Sequence, residues 1–207
     1  MNSETIEVKK DDLQALYEVL TNYPAISKEQ VVNEMHKCFG EDIFKPKYVT
    51  ERIKTFEDAC NELGETHPLV LQYRFNYNNE DGWNDNGYTS DFESYLKLRI
   101  IAAALNEGWE PQFTEDEWRY FPWFELYTQK EIDEMDEEQK TRVVYRSSSY
   151  AYAGGGVAYA GTICDSSYTC TVIGSRLAFK TRELAEYAGK QFVEIWADYV
   201  FKPDGRK

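Results

Sequence analysis

Nucleophilic catalysis by serine or cysteine usually needs a histidine close by as base. This chain of 207 residues has two, His36 and His67. His36 falls beside Lys37 inside a helical pattern, and His67 precedes Pro68, a place that suits a helix start, so both are expected to be structural or exposed. The four cysteines, Cys38, Cys60, Cys164 and Cys170, form no C-x-x-C pair. They lack the tight paired spacing of a structural zinc site. Cys164 and Cys170 are spaced to face each other across a hairpin, but without an export signal free thiols are the expectation. The Asn/Asp/Gly-rich run 76–90 invites a calcium-loop reading, which needs oxygen ligands at positions 1, 3 and 5, Gly at 6 and Glu at 12. With Gly87 at position 6, Gly82 occupies position 1. With Gly82 at position 6, Tyr77 and Tyr88 occupy the ends. Each register lacks an essential ligand, and the run is expected to be a surface loop. Gly154-Gly155-Gly156 is followed by neither Gly-Lys-Ser/Thr nor Rossmann spacing, so it is no phosphate cradle. The many carboxylates present no isolated pair; Glu115-Asp116-Glu117 reads as charge at a helix start. No catalytic residue, metal ligand or cofactor-binding residue is assigned and no cofactor is expected. An enzyme ranks last among the function classes.

Charge is the most informative compositional feature. Lys and Arg number 23 and Asp and Glu 37, for a net charge of −14. Residues 1–140 carry 14 basic and 31 acidic side chains, a balance of −17, whereas 141–207 carry 9 and 6, a balance of +3. Such overall acidity opposes non-specific DNA binding and suits a basic protein partner. Between 141 and 180 Asp165 is the one acid, against Arg142, Arg146, Arg176 and Lys180. Period-two alternation from Thr141 puts Arg142, Val144, Arg146, Ser148, Tyr150 and Tyr152 on one strand face. Arg176 and Lys180 would face outward if Leu177 and Phe179 face a core. Arginine and tyrosine on an open sheet suit phosphate contact and base stacking. Arg142, Arg146, Tyr150, Tyr152, Arg176 and Lys180 are therefore the candidate nucleic-acid or anion site, set against an ordinary solvated sheet face.

Elements that would position these residues follow from patterning. Leu13, Leu16, Tyr17 and Leu20 mark one short helix; the capping box Ser27 to Gln30, with Ile26 and Val31 as a staple, opens a second. This pair reads as a packing unit rather than a DNA-reading helix-turn-helix, because 28–39 balance Lys28 and Lys37 against Glu29 and Glu34. Thr55 caps a helix with Phe56, Ala59, Cys60 and Leu63, closed by Gly64. Pro68 opens a segment through Tyr73, and Ser90 to Glu93 form a capping box for a helix with Tyr95, Leu98, Ile101, Ala102 and Leu105. The aromatic stretch Trp109–Phe124 is expected to be core, Glu125–Tyr127 a strand end, and Glu131–Glu138 a solvated helix or loop. The glycine triplet is expected to turn between two strands, and Ser175–Lys180 to be a third. Thr181 then caps a long last helix with Leu184, Ala185, Ala188, Phe192, Ile195, Trp196 and Tyr199 on one stripe. The expectation is an α+β fold: N-terminal helices, then a small antiparallel sheet packed by a long C-terminal helix. Residues 1–50 would form a helical appendage and 51–207 the main domain. No apolar run is long enough to cross a membrane and no signal peptide is expected.

The stretches RIKTFEDACNEL (52–63) and GSRLAFKTRELAEYAGKQF (174–192) resemble an uncharacterised protein family that recurs in Bacteroidetes genomes and their phages or prophages. YLKLRIIAAALNEGWEPQFTEDEWRYFPWF between them also fits. The resemblance implies a bacterial cytoplasm or a phage-infected cell, with virion association as a further expectation, and transfers no chemistry. The function expected is a non-enzymatic accessory protein of phage or mobile-element origin, acting by protein–protein contact through its acidic surface. A nucleic-acid-binding module using the basic/tyrosine sheet face is the alternative. Oligomeric state has no sequence signal.

Overall fold

The structure, a computed structural model, describes residues 9–22, 27–39, 45–77, 90–112, 114, 116–148, 153–165 and 175–201. The chain divides into two compact units, Met1–Tyr48 and Val49–Lys207. In the first, α1 (Lys10–Thr21) and α2 (Lys28–Phe39) bury Leu13, Val31 and Met35 against one another. Ser27 Oγ accepts the Gln30 N–H at 3.2 Å and Gln30 Oε1 accepts the Ser27 N–H at 3.0 Å, so the expected capping box forms. The staple partner Ile26 lies outside the described residues.

The second unit has mixed helix and strand in the α+β arrangement: α3 (Val49–Arg52), α4 (Phe56–Leu63), α5 (Pro68–Tyr77), α6 (Ser90–Asn106), β1 (Arg119–Thr128), α7 (Gln129–Glu134), α8 (Glu137–Lys140), β2 (Val144–Ser148), β3 (Ala153–Asp165), α9 (Arg182–Gln191) and α10 (Val193–Val200). Local chemistry sets several boundaries. Thr55 and Asp58 make a reciprocal capping box for α4, and Gly64, at φ +85°, ends it. His67 Nδ1 accepts the Leu69 N–H at 3.3 Å at the start of α5. Thr128 with Glu131 and Asp136 with Gln139 cap α7 and α8. α6 is buried over most of its circumference: Leu96, Leu98, Ile100, Ile101, Ala102, Ala104 and Leu105 are all buried, with Lys97 and Arg99 half-buried between them. It packs against α4, α5, α9, α10 and the turn 175–177.

The sheet is antiparallel, in the order β1-β3-β2, and differs from expectation in three places. First, Gly154, Gly155 and Gly156 are no turn; they lie inside β3. A Cβ at Gly155 would meet Tyr127 O at 2.6 Å and the Phe201 ring at 2.8 Å, and one at Gly156 would meet Val143 Cγ1 at 2.2 Å. Glycine is there for close packing on both sheet faces. Residues 149–152, between β2 and β3, lie outside the described residues. Second, Ser175–Lys180 is not a third strand. Ser175–Leu177 is a single 3-10 turn, and only Phe179 pairs, as an isolated bridge to Tyr120. Leu177 and Phe179 are buried as expected, but Ala178 is buried too, so the two-residue alternation fails. Third, the long last helix is divided at Phe192 (φ −112°, ψ 28°) into α9 and α10. Thr181 caps it as expected, accepting the Leu184 N–H at 3.3 Å.

Gly156→Ala should destabilise the unit by about 1–3 kcal/mol, the usual cost of forcing a methyl into a filled space. Gly161→Ala, where a Cβ meets nothing within 4 Å, should stay within about 0.5 kcal/mol of the parent. Urea unfolding of the two variants checks both values.

Candidate functional site

Paired residues on neighbouring antiparallel strands share a face, so the register divides the sheet's side chains. Pro122, Phe124, Val157, Tyr159, Val144 and Arg146 lie on the face that packs against the C-terminal helices. Gly189 of α9 approaches Pro122 and Tyr159 so closely that a Cβ would lie 2.7 and 2.6 Å from them. Trp196 of α10 packs on Phe124, with ring centroids 5.2 Å apart. Phe121, Trp123, Glu125, Ile163 and Tyr145 lie on the opposite face.

A β-bulge sets this division. Trp123 pairs with Gly161 and Phe124 with Tyr159, leaving Ala160 as an extra residue on β3. One extra residue moves the following side chains to the other face. Val157 and Tyr159 therefore face the helices, while Gly161 and Ile163 face away. The two-residue alternation along 157–163 breaks at Ala160. The outcome is an aromatic and aliphatic surface. Trp123 is 47% exposed, Tyr145 48% and Ile163 37%; Trp118, just ahead of β1, is 54% exposed. The aromatic stretch expected to be core is thus divided: Phe121 is buried while Trp118 and Trp123 face solvent, and Phe113 lies outside the described residues.

Carboxylates border this face. Glu125 shares it and accepts a hydrogen bond from the Tyr127 hydroxyl. That contact is the main cause that raises the Tyr127 phenol above its ordinary value. α7 packs over one end, with Ile132 Cδ1 3.2 Å from where a Gly156 Cβ would stand. Glu131, Asp133 and Glu134 are exposed on α7, as are Asp136, Glu137 and Glu138 after it.

The candidate cations are placed differently from the open sheet face expected for them. Arg146 points toward α10, where Nε lies 2.6 Å from Asp198 Oδ1 and Nη2 lies 2.8 Å from Glu194 Oε2. Arg142 precedes β2 and pairs with Glu138 one turn back. Lys180 Nζ lies 2.9 Å from Glu107 Oε2. Arg176 is exposed in the 3-10 turn. Three of the four are each engaged by separate carboxylates on α8, α10 and the end of α6, and do not line one surface. Tyr150 and Tyr152 lie outside the described residues, as do Cys170 and most of the 76–90 loop.

Lys180 belongs to a structural junction. Glu107 takes Lys180 on one oxygen and Arg52 on the other, at 2.9 and 2.8 Å, and Arg52 reaches Glu62 at 3.0 Å. These two cations, Lys180 first, hold the Glu107 carboxyl below its ordinary value. Beside it, buried Asn106 donates from Nδ2 to Ala178 O at 2.8 Å and accepts the Lys180 N–H at 3.0 Å. Among nucleophiles, Cys60 is buried and its thiol pushed up to about 11 by desolvation, and Cys164 is a half-buried free thiol. Among the described residues, no three His, Cys, Asp or Glu side chains are grouped to hold a metal ion, and no helix is long and apolar enough to cross a membrane.

No family model matches the chain, and no curated protein or solved structure matches it.

Two outcomes follow from the junction. A carboxylate with a lowered folded-state value stabilises above its unfolded value, near 4.3, and loses that contribution as pH falls through the folded value. Glu107→Gln should therefore flatten the acid limb of a urea-midpoint-against-pH curve below about pH 4.3. Asn106→Ala leaves two backbone groups without their partner and should cost about 2–4 kcal/mol at neutral pH, measured the same way.

Proposed function

We propose that this protein is a non-enzymatic accessory protein that acts by contact with a basic protein partner through its acidic surface. The carrying observation is the charge asymmetry: net −14, with exposed carboxylates along α7 and α8. Complementary charge of this kind mainly raises the rate of encounter and selects partners by sign. The engagement of Arg146 by Asp198 and Glu194 and of Lys180 by Glu107 supports this reading over the nucleic-acid alternative. A phage or mobile-element context, with action in the bacterial cytoplasm, completes the proposal and is carried by the resemblance of 52–63 and 174–192 alone.

The acids chosen for the test must not be helix caps. Glu131 and Asp136 hold N-terminal backbone groups of α7 and α8, whereas Glu134, Glu137 and Glu138 make local surface pairs. Changing those three to Gln should slow association with a basic partner captured from phage-induced bacterial cells, and the parent's own rate should fall as salt rises. Mobility shifts with single-stranded and duplex DNA at low salt supply the opposite outcome. Micromolar DNA binding lost in Arg142→Ala, Arg146→Ala and Arg176→Ala, with no effect of the acidic changes, would overturn the proposal.

A further inference from the structure

We infer that the outward sheet face around Trp123 and Ile163 is the docking surface for the apolar side chains of a cationic protein segment, with Glu125 and the carboxylates of α7 receiving its basic groups. This inference rests on the contact reading above and gives it a place on the molecule. Three observations meet there. The bulge at Ala160 turns Ile163 away from the helix-packed face and onto the face of Trp123. Trp123 and Ile163 then lie diagonally across the β1–β3 pair on the outward face, each more than one-third exposed, beside the buried Phe121. Gly161, paired with Trp123, adds no side chain to the surface and leaves the flank of the indole open. Aromatic anchors of this kind dominate protein interfaces because they bury large area with little rotamer entropy.

Charge decides among the occupants. Glu125 lies on the face itself, and Glu131, Asp133 and Glu134 stand on α7, which packs across one end of it. A nucleic acid or an anionic lipid surface would bring phosphates against these carboxylates. A second copy would bring another chain of net charge −14. A segment carrying arginine or lysine between apolar residues meets both features: its apolar side chains cover Trp123 and Ile163, its cations reach the carboxylate border, and a guanidinium can stack on the indole.

The probe is a short synthetic peptide alternating arginine and leucine, titrated against the full chain by fluorescence anisotropy, with an arginine–serine peptide of equal charge beside it. The arginine–leucine peptide should bind more tightly and keep more of its affinity as salt rises. Trp123→Ala and Ile163→Ser should each weaken it about tenfold or more, as for an interface anchor. Phe75→Ala, which removes an exposed aromatic on α5, should leave it unchanged. Addition of the peptide to the parent should slow amide exchange across 159–163, a readout that does not depend on any variant folding. Equal binding of the peptide to parent, Trp123→Ala and Ile163→Ser, with binding lost when Glu134, Glu137 and Glu138 become Gln, would overturn the docking face while sustaining the acidic-contact reading. Absence of slowed exchange at 159–163 in the saturated complex would also overturn the docking face. Failure of both peptides to bind the parent at low salt would overturn both proposals.

Discussion

The second unit is organised by the need to cover α6 on nearly every side. An ordinary surface helix hides one stripe and shows another. α6 instead buries Leu96, Leu98, Ile100, Ile101, Ala102, Ala104 and Leu105, which together sweep around its axis. Full burial of each large aliphatic side chain is worth about 1.5–3 kcal/mol, so exposing any flank would forfeit several kcal/mol. α4 and α5 supply part of the cover, and α9, α10 and the 175–177 turn supply the rest. The polar groups at the end of the helix then take a different part. Asn106 and Glu107 grip the backbone and side chain of 178–180, and Phe179 passes the connection to β1 through paired hydrogen bonds with Tyr120, at 3.0 and 2.9 Å.

This attachment commits one sheet face to the helices; the other buries Phe121 and Ala158 and leaves Trp123 and Ile163 exposed. α9 and α10 are drawn down by Gly189 against Pro122 and Tyr159 and by Trp196 against Phe124. Arg146 closes the same layer, because its guanidinium joins β2 to two carboxylates one turn apart on α10. Removing either side of that arrangement would strand a partly buried charge, a larger loss than the net value of the pair itself. The arginine is thus bound into the architecture. The exposed side chains of the other face, Trp123, Ile163 and Glu125 among them, are aromatic, aliphatic and acidic.

Sequence patterning makes the α+β class legible, and with it those boundaries that local chemistry alone controls. Thr55 with Asp58, Ser27 with Gln30 and Thr181 each satisfy helix-end N–H groups within three residues, so no tertiary knowledge is needed to read them. What escapes a linear reading depends on partners distant in the chain. Gly154–Gly156 look like a turn until Phe201, Val143 and Ile132 are seen pressing on the strand. Ser175–Lys180 alternates like a strand, but Asn106, more than seventy residues earlier, takes the backbone groups a neighbouring strand would use. The outward face is the least legible feature. Tyr159 and Ile163 are an even number of residues apart, so strict alternation places them together, and only the register against β1 reveals the bulge that parts them. Small residues at Ala160 and Gly161 are the one local signal that a bulge can form there.

The same reasoning separates carboxylates that shape the protein from those available to a partner. Glu131 accepts the Thr128 N–H at 2.7 Å and Asp136 accepts the Gln139 N–H at 2.7 Å. These bonds account for two helix starts and lower the Glu131 carboxyl from its ordinary value, the Thr128 N–H contributing most. Glu134, Glu137 and Glu138 instead pair within one turn with Lys130, Lys140 and Arg142, at largely exposed positions. Pairs of that kind are worth only about 0.3–0.5 kcal/mol. An arriving cation can therefore replace a local one at little cost to the fold. Acidity supplies long-range attraction with weak geometric demands, and the bulged sheet supplies a short-range apolar surface with strict ones. On the proposed reading, a partner selected by both carries positive charge and apolar side chains in one segment, a narrower class than charge alone admits.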